Sequence, residues 1–324
     1  MDNISALVPV AVVALDNLAP AAEQNQAREY ARQSRSANTR RGYASDWAGF
    51  TRWCEERKLT ALPALPETVA CYISALADHH KVNTIQRHLS AISQVHQVKG
   101  FESPTTNEVV RSVLKGIRRV LGCAPAEKAP LLAVDMREMV AALPDSLLGT
   151  RDRALLLLGF SGAFRRSELV GLDAEDVAFT QEGATITLRR SKTDQEGQGR
   201  KIGIPQLPAS DACPIRALRA WLEASGITTG ALFRAIALGG RLLPGRLSGG
   251  AVAIVVKRSL PAGRDTSKFA GHSLRAGFVT AAANGGASIK AICRQTGHRS
   301  IETVTRYMRE ASLFRGNALA STGL

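Results

Sequence analysis

Between Gly271 and Met308 the chain reads GHSLRAGFVTAAANGGASIKAICRQTGHRSIETVTRYM, a stretch holding two of the six histidines, His272 and His298, and the only tyrosine after Tyr72, Tyr307. His272 and Arg275 are three apart, so on a helical turn both can face one anion. His298 follows a glycine in TGHRS, which suits a tight helix junction, and Tyr307 lies nine residues later, two to three helical turns on. Upstream, FRRSELVGL sets Arg165 and Glu168 three apart, where the carboxylate can hold a guanidinium in place. Lys192, in SKTD, stands where a strand gives way to a glycine-containing polar turn. No H-E-x-x-H pattern or cysteine pair accompanies these groups, so no metal or cofactor is expected.

Together these side chains suit phosphoryl transfer. A phosphodiester in reaction carries extra negative charge on its nonbridging oxygens, which two guanidiniums and an imidazole can stabilise. A tyrosine nucleophile, with an ordinary pKa near 10, needs cations or a base nearby to ionise. A departing 5′-oxygen needs a proton, and a lysine on a hairpin can deliver it. Rivals remain: Arg166 follows Arg165 directly, although register with Ser167-Glu168-Leu169 favours Arg165, and Arg200 and Lys201 compete with Lys192.

The elements that must carry these groups divide in two. From Ser36 to Leu121 the spacing predicts four amphipathic helices with almost no strand signal. Their apolar stripes are Tyr43, Trp47, Phe50 and Cys54; Val69, Tyr72, Ile73 and Leu76; Ile85, Leu89, Ile92 and His96; and Val110, Val113, Leu114, Ile117, Val120 and Leu121. Residues 1–35 read as a flexible arm, and GCAPAEKAPLL, 122–132, as a linker. Beyond it Asp135 and Glu138 predict a capping box, a helix starts near Thr150, strands follow at VAFT, ATITLRR and RKIGIP, and helices return from Pro214 to Ala224 and from Gly250 to Lys257. The fold class is thus an all-α bundle followed by a mainly helical α+β domain with a small antiparallel sheet, 133–309, and a tail, 310–324.

Composition names the partner class. A formal charge of +14 draws polyanions, and 45% hydrophobic content suffices for two cores. No segment is apolar and long enough to span a bilayer, so a membrane is not expected as partner, and five scattered cysteines fit a reducing cytoplasm. No Asp or Glu falls between Lys81 and Gly100, and the third helix turns Asn83, Gln86, Arg87, Ser90, Gln94 and Gln97 away from its apolar stripe. Amides and an arginine on one face can read base edges in a major groove. Arg111, Lys115, Arg118 and Arg119 on the fourth helix suit phosphates.

The ordered set of motifs resembles the tyrosine site-specific recombinases, the phage integrase family, and within it the simple Cre- and Xer-type enzymes. The family's G-x-R-x-S-E-L turn is matched by Ala163 to Leu169, with Ala163 in the glycine position; its hairpin lysine by Lys192; its H-x-x-R by His272 to Arg275; its G-H by Gly297-His298; and its tyrosine by Tyr307. The 23-residue step from Arg275 to His298 agrees with the family spacing, and NTIQRHLSAISQVH resembles the core-binding helix of Cre-like enzymes. The resemblance implies a SAM-like core-binding bundle at 36–121 and a catalytic domain in which Tyr307 forms a 3′-phosphotyrosyl link. Arg165, Arg275 and His298 would hold the phosphate, His272 assist deprotonation, Lys192 protonate the leaving oxygen, and Glu168 orient the site. It further implies double-stranded DNA with a specific core site as partner, a homotetramer on two sites passing through a Holliday junction, and no cofactor or nucleotide.

The segment LSGGAVAIVVKRSL lies where Cre-like enzymes place a second major-groove helix, but it opens on glycines. The residues before Ser36 are too few for the arm-binding domain of lambda-type integrases. The tail, with Leu313, Phe314, Ala318 and Leu319, has an apolar face that could dock on a neighbouring subunit or in cis. Two alternatives share these motifs: a DNA-binding regulator that no longer cleaves, and a type IB topoisomerase-like relaxing enzyme. Composition rich in Ala, Arg and Gly points to a bacterial or mobile-element source acting at the nucleoid.

Overall fold

A computed structural model describes residues 20–123, 128–189, 199–207, 210–298, 300–302 and 304–305. Lys192, Tyr307 and the apolar tail lie outside the described residues. The chain divides into two compact units, Met1–Ala126 and Glu127–Leu324.

The first unit is helical throughout its described residues: α1 (Ala21–Gln33), α2 (Ala37–Glu55), α3 (Pro66–Ala77), α4 (Val82–Val98) and α5 (Glu108–Leu121). Local chemistry sets the helix starts. The Ser36 hydroxyl accepts the Thr39 amide at 3.2 Å, Pro66 opens α3, and the Asn107 side chain accepts the Val109 amide at 2.9 Å. The stripes meet in one core, where Trp47, Phe50, Tyr72, Ile73, Ile85, Ile92 and Val110 are buried and the rings of Phe50 and Tyr72 lie 5.0 Å apart. His96 is a satisfied core histidine: its Nε2 accepts the Ala64 amide at 2.9 Å while Nδ1 donates to the Ile92 carbonyl.

Differences from the sequence reading have physical causes. Residues 21–33, read as part of an arm, form α1. The apolar stripe of α5 ends at Ile117; Val120 and Leu121 are exposed at the helix end, beyond the core. Gln94 is 6% exposed, so it does not join the outward row expected on α4. It lines an open cleft of about 380 Å³ with Arg35, Tyr43, Ser90 and Gln97.

The second unit runs α6 (Ala133–Ala141), α7 (Leu147–Ser161), α8 (Arg166–Gly171), β1 (Val177–Phe179), β2 (Gly183–Leu188), β3 (Arg200–Pro205), α9 (Pro214–Ser225), β4 (Arg234–Ile236), β5 (Leu242–Arg246), α10 (Gly249–Arg258), α11 (His272–Asn284) and α12 (Ile289–Thr296). Strands β1, β2 and β3 form an antiparallel sheet whose register sets Ile186 opposite Ile202 and Ala184 opposite Ile204, all four buried. Helix α7 is at least half-buried all along its length and runs through the core, with Leu155 to Leu158 buried and its charged Arg151 and Asp152 buried as a pair. Trp221 of α9 is fully buried and donates its indole N–H to the Leu232 carbonyl at 2.8 Å.

The capping box expected at Asp135 and Glu138 is displaced. Helix α6 begins one turn earlier, and Asp135 instead accepts the Leu132 amide at 2.8 Å. The stretch read as linker also narrows, because Leu131 is fully buried and its amide bonds the Ser273 carbonyl at 3.1 Å. The β4–β5 pair escapes the sequence pattern, because β4 is only three residues long and β5 is interrupted by Pro244 and Gly245, so no alternation shows. Among the described residues no helix is long and apolar enough to cross a membrane.

Candidate active site

The turn that carries Arg165 is built by strain and capping together. After α7 ends, Ala163 takes a left-handed backbone conformation, φ +48°, which explains why glycine suits this position. Phe164 then enters the core and Arg165 becomes the N-cap of α8. Glu168, at the third position of the helix, accepts the Arg165 amide at 2.8 Å and the Arg165 guanidinium at 2.6 Å. One buried carboxylate therefore fixes both backbone and side chain of the same residue. Arg166 goes elsewhere: the Cβ of any larger residue at Gly271 would lie 2.5 Å from the Arg166 stem, so this rival packs across the start of α11.

Helix α11 supplies the next two groups. His272 is its first residue and is exposed, whereas Arg275, one turn on, is 2% exposed and donates to the Ala163 carbonyl at 2.6 Å. The strained alanine thus aims its carbonyl at the second arginine. At the far end of α12, Gly297 adopts φ +67° and delivers His298, whose Nδ1 lies 2.8 Å from the Thr296 hydroxyl. That hydroxyl is also 2.7 Å from the Ile292 carbonyl; when its proton goes there, Nδ1 carries the ring proton and Nε2 is an open acceptor. The His298 pKa is pushed down to about 4, first by burial and then by the charges of Arg275, Arg165, His272 and Arg200. These groups come from three separate stretches of sequence to act on one half-buried imidazole.

Arg200, by sequence one of the rivals to Lys192, has its side chain engaged in the structure. As a rival to Lys192 it would need a transferable proton, but its guanidinium is committed to holding the site. It donates to the carbonyls of Gln295 at 2.8 Å, Thr296 at 3.3 Å and Arg294 at 3.4 Å, the last turn of α12. It also lies 4.0 Å from Glu168. A cation on the last carbonyls of a helix satisfies orphan acceptors and the dipole together. A Cβ at Gly297 would fall 2.9 Å from the guanidinium carbon, so glycine is needed there for space as well as backbone angle. Arg200 thereby ties the Glu168–Arg165 turn to the helix end that delivers His298, and only its place at the start of β3 could have hinted at this. Lys201 is exposed on the same strand.

The expected base-reading row on α4 keeps Asn83, Arg87 and Ser90 exposed with Gln86 half-buried. Arg87 is paired with Asp46 of α2, Nε to Oδ2 at 2.7 Å and Nη2 to Oδ1 at 3.0 Å. On α5, Arg111, Lys115, Arg118 and Arg119 are all exposed.

A family model described as the phage integrase family matches residues 131–312. An integrase/recombinase xerD homolog of Selenomonas ruminantium is 42% identical over 300 residues, covering 91% of this chain and 88% of its own. The tyrosine recombinase XerC of Myxococcus xanthus is 29% identical over 314 residues, covering 90% and 94%. Among solved structures, the XerH site-specific recombinase bound to palindromic difH substrate, a post-cleavage complex, matches with a TM-score of 0.60 at 14% identity over 96% of this chain and 86% of that one, a likeness of fold. The chain belongs to the phage integrase family, the tyrosine recombinases, which cleave and rejoin DNA strands.

Proposed function

We propose that the protein recombines DNA at a specific core site through a 3′-phosphotyrosyl intermediate formed by Tyr307. In this reading Arg165 and Arg275 donate to the nonbridging oxygens of the scissile phosphate, His298 does so once its Nε2 takes up a proton as the anion binds, and His272 assists removal of the tyrosine proton. The Tyr307 oxygen bonds to phosphorus as the 5′-oxygen leaves, taking a proton from Lys192. Because the phosphotyrosyl bond conserves the energy of the phosphodiester, a partner strand's 5′-hydroxyl can reverse the step without a nucleotide. Glu168 and Arg200 touch no reacting atom and act by holding Arg165 and the α12 end. The observation that carries the reading is that one carboxylate and one strained carbonyl fix Arg165 and Arg275, and that both arginines, with His272, act electrostatically on the half-buried His298 imidazole.

The remaining assignments follow from the same reading. Residues 36–121 bind core DNA, with Asn83, Gln86, Arg87 and Ser90 toward bases and Arg111, Lys115, Arg118 and Arg119 toward phosphates; residues 133–309 catalyse. Two sites are bridged by a homotetramer that passes through a Holliday junction, with the tail from residue 310 docking between subunits. The protein acts on cytoplasmic, nucleoid DNA.

The test uses nicked suicide substrates drawn from the genetic neighbourhood, in EDTA, and looks for a protein–DNA adduct on a denaturing gel. The expected result is an adduct that Tyr307→Phe abolishes while DNA binding persists, since one hydroxyl is removed from a site of many cationic contacts. Cleavage by the Tyr307→Phe protein would sink the assignment. Specific binding without any adduct would favour the regulator, and relaxation of plasmid lacking a target would favour the topoisomerase.

A further inference from the structure

Within the first unit, Asp46 is 3% exposed and holds Arg87, whose side chain is 51% exposed. The carboxylate is itself fixed from inside the bundle. His88 Nε2 lies 3.3 Å from Asp46 Oδ1, and the Tyr72 hydroxyl lies 2.9 Å from His88 Nδ1. With Tyr72 donating to Nδ1 and Nε2–H donating to the carboxylate, the chain Tyr72–His88–Asp46–Arg87 is satisfied at every link.

The arginine edge engaged by Asp46 is the side formed by Nε and Nη2. A guanidinium carries five hydrogens in a planar fork, so both hydrogens of Nη1 and the second of Nη2 stay available at the outer end. That outer pair has the spacing of the O6 and N7 acceptors of guanine in the major groove. A fork already locked by a carboxylate loses little side-chain freedom when it binds.

Charge decides between a base and a phosphate. Arginines that serve phosphates do so through net positive charge, which displaces counterions. Arg87 and Asp46 form a pair of zero net charge, and the carboxylate would repel a phosphate oxygen brought close. A base edge is neutral and suffers no such penalty. The neighbours agree: Arg87 stands in a row with Asn83 and Ser90 at i, i+4 and i+7, uncharged hydrogen-bonding groups, whereas the exposed basic row is on α5.

We infer that Arg87, held side-on by the buried Asp46, is a specificity-determining residue that reads one guanine of the target site, with Asp46 as its positioning residue. The inference rests on the reading of α4 as the helix that enters the major groove.

The experiment uses the full chain carrying Tyr307→Phe, which keeps DNA uncleaved, and selects from a pool of duplexes with a randomised centre. The parent protein should enrich a site containing a guanine whose replacement by 7-deazaguanine, lacking the N7 acceptor, weakens binding about tenfold. Adding Arg87→Gln should erase the guanine preference at that one position, leave the others, and abolish the response to 7-deazaguanine. Asp46→Asn should broaden the same position; should that variant fail to fold, the surface variant and the modified base carry the test alone. Salt dependence gives a second reading: Arg118→Gln should lower the slope of log affinity against log salt by about 0.9, and Arg87→Gln should barely change it. An Arg87→Gln pool with unchanged guanines, or a uniform loss of affinity with a reduced salt slope, overturns the inference and leaves the recombinase reading standing. A parent protein that enriches no sequence overturns that underlying reading, and this inference with it.

Discussion

In each unit an arginine of the proposed DNA-facing set is held against an almost fully buried carboxylate, and the two pairs differ in ways that match different targets. In the first unit Arg87 is half exposed on Asp46; in the second Arg165 is 19% exposed on Glu168. Asp46 faces one guanidinium and a histidine that burial keeps from protonating, so the cluster is neutral. Glu168 faces Arg165 and Arg200, with Arg275 nearby, so that cluster keeps positive charge. A neutral locked fork suits a base edge, and a surplus of charge suits a phosphate that gains negative charge as it reacts.

The largest expected effect breaks this contrast at Glu168. Glu168→Gln keeps the shape but loses the charge that fixes the Arg165 amide and guanidinium together, and displacement of a phosphate ligand by even an ångström costs about 100-fold in rate. Single-turnover cleavage should therefore fall by about that factor while affinity for DNA changes little. Asp46→Asn should show the opposite profile, cleaving a prebound cognate site at the parent rate while discriminating less between sites. Should Glu168→Gln lose binding as much as cleavage, the division of labour between the two carboxylates is wrong.

Arg200 comes next. Arg200→Ala leaves the last carbonyls of α12 without their donor, and an unsatisfied buried acceptor costs about 1–3 kcal/mol. Thermal unfolding should register that loss, and cleavage should slow by about tenfold as His298 loosens. Arg200→Lys keeps a cation but cannot span three carbonyls, so it should recover only part of the stability and of the rate. Full rate in Arg200→Ala would deny it a positioning role.

The same pair of carboxylates shows what sequence could and could not disclose. Arg165 and Glu168 are three residues apart, so helical spacing alone puts them together, and the motif order resembling the family pointed to Arg275 and His298 in advance. Asp46 and Arg87 are 41 residues apart on different helices, and Arg200 lies more than 90 residues before the carbonyls it caps. Such contacts exist only after the chain packs, and no periodicity encodes them. Amphipathic spacing announced α2 to α5 and the three-stranded sheet. It failed at Gln94 and at the end of α5, because burial there depends on which neighbouring element covers the face.

Protonation sharpens the contrast at smaller scale. The unfolded chain titrates histidine near 6.5, whereas folding holds His298 near 4. Between those values the unfolded state binds the extra proton, so stability declines as pH falls from about 6.5 to 4 and levels off below. His88 and His96, both depressed by burial, act in the same direction in the first unit. An anion beside His298 favours the imidazolium, so DNA binding should take up a proton near pH 6, read by calorimetry in buffers of different ionisation enthalpy. His298→Asn should remove that uptake, while His96→Asn should leave it intact, since both nitrogens of His96 are already bonded inside the bundle.

The smallest effect concerns Ala163, where three terms oppose one another. Glycine would relieve a left-handed residue of about 1–2 kcal/mol of strain. It would also forfeit a fully buried methyl worth about 0.8 kcal/mol and free the unfolded chain by about 0.4–1 kcal/mol. Ala163→Gly should therefore shift stability by less than about 1 kcal/mol in either direction and leave cleavage near the parent rate, because the carbonyl that receives Arg275 needs the backbone angle and not the methyl. Ala163→Val should behave differently. A β-branched residue in that region is strained, the site has no room, and the turn can relax only by rotating the carbonyl away from Arg275. Cleavage should then fall further than thermal stability alone would explain, and the comparison of the two variants separates backbone geometry from packing at the phosphate site.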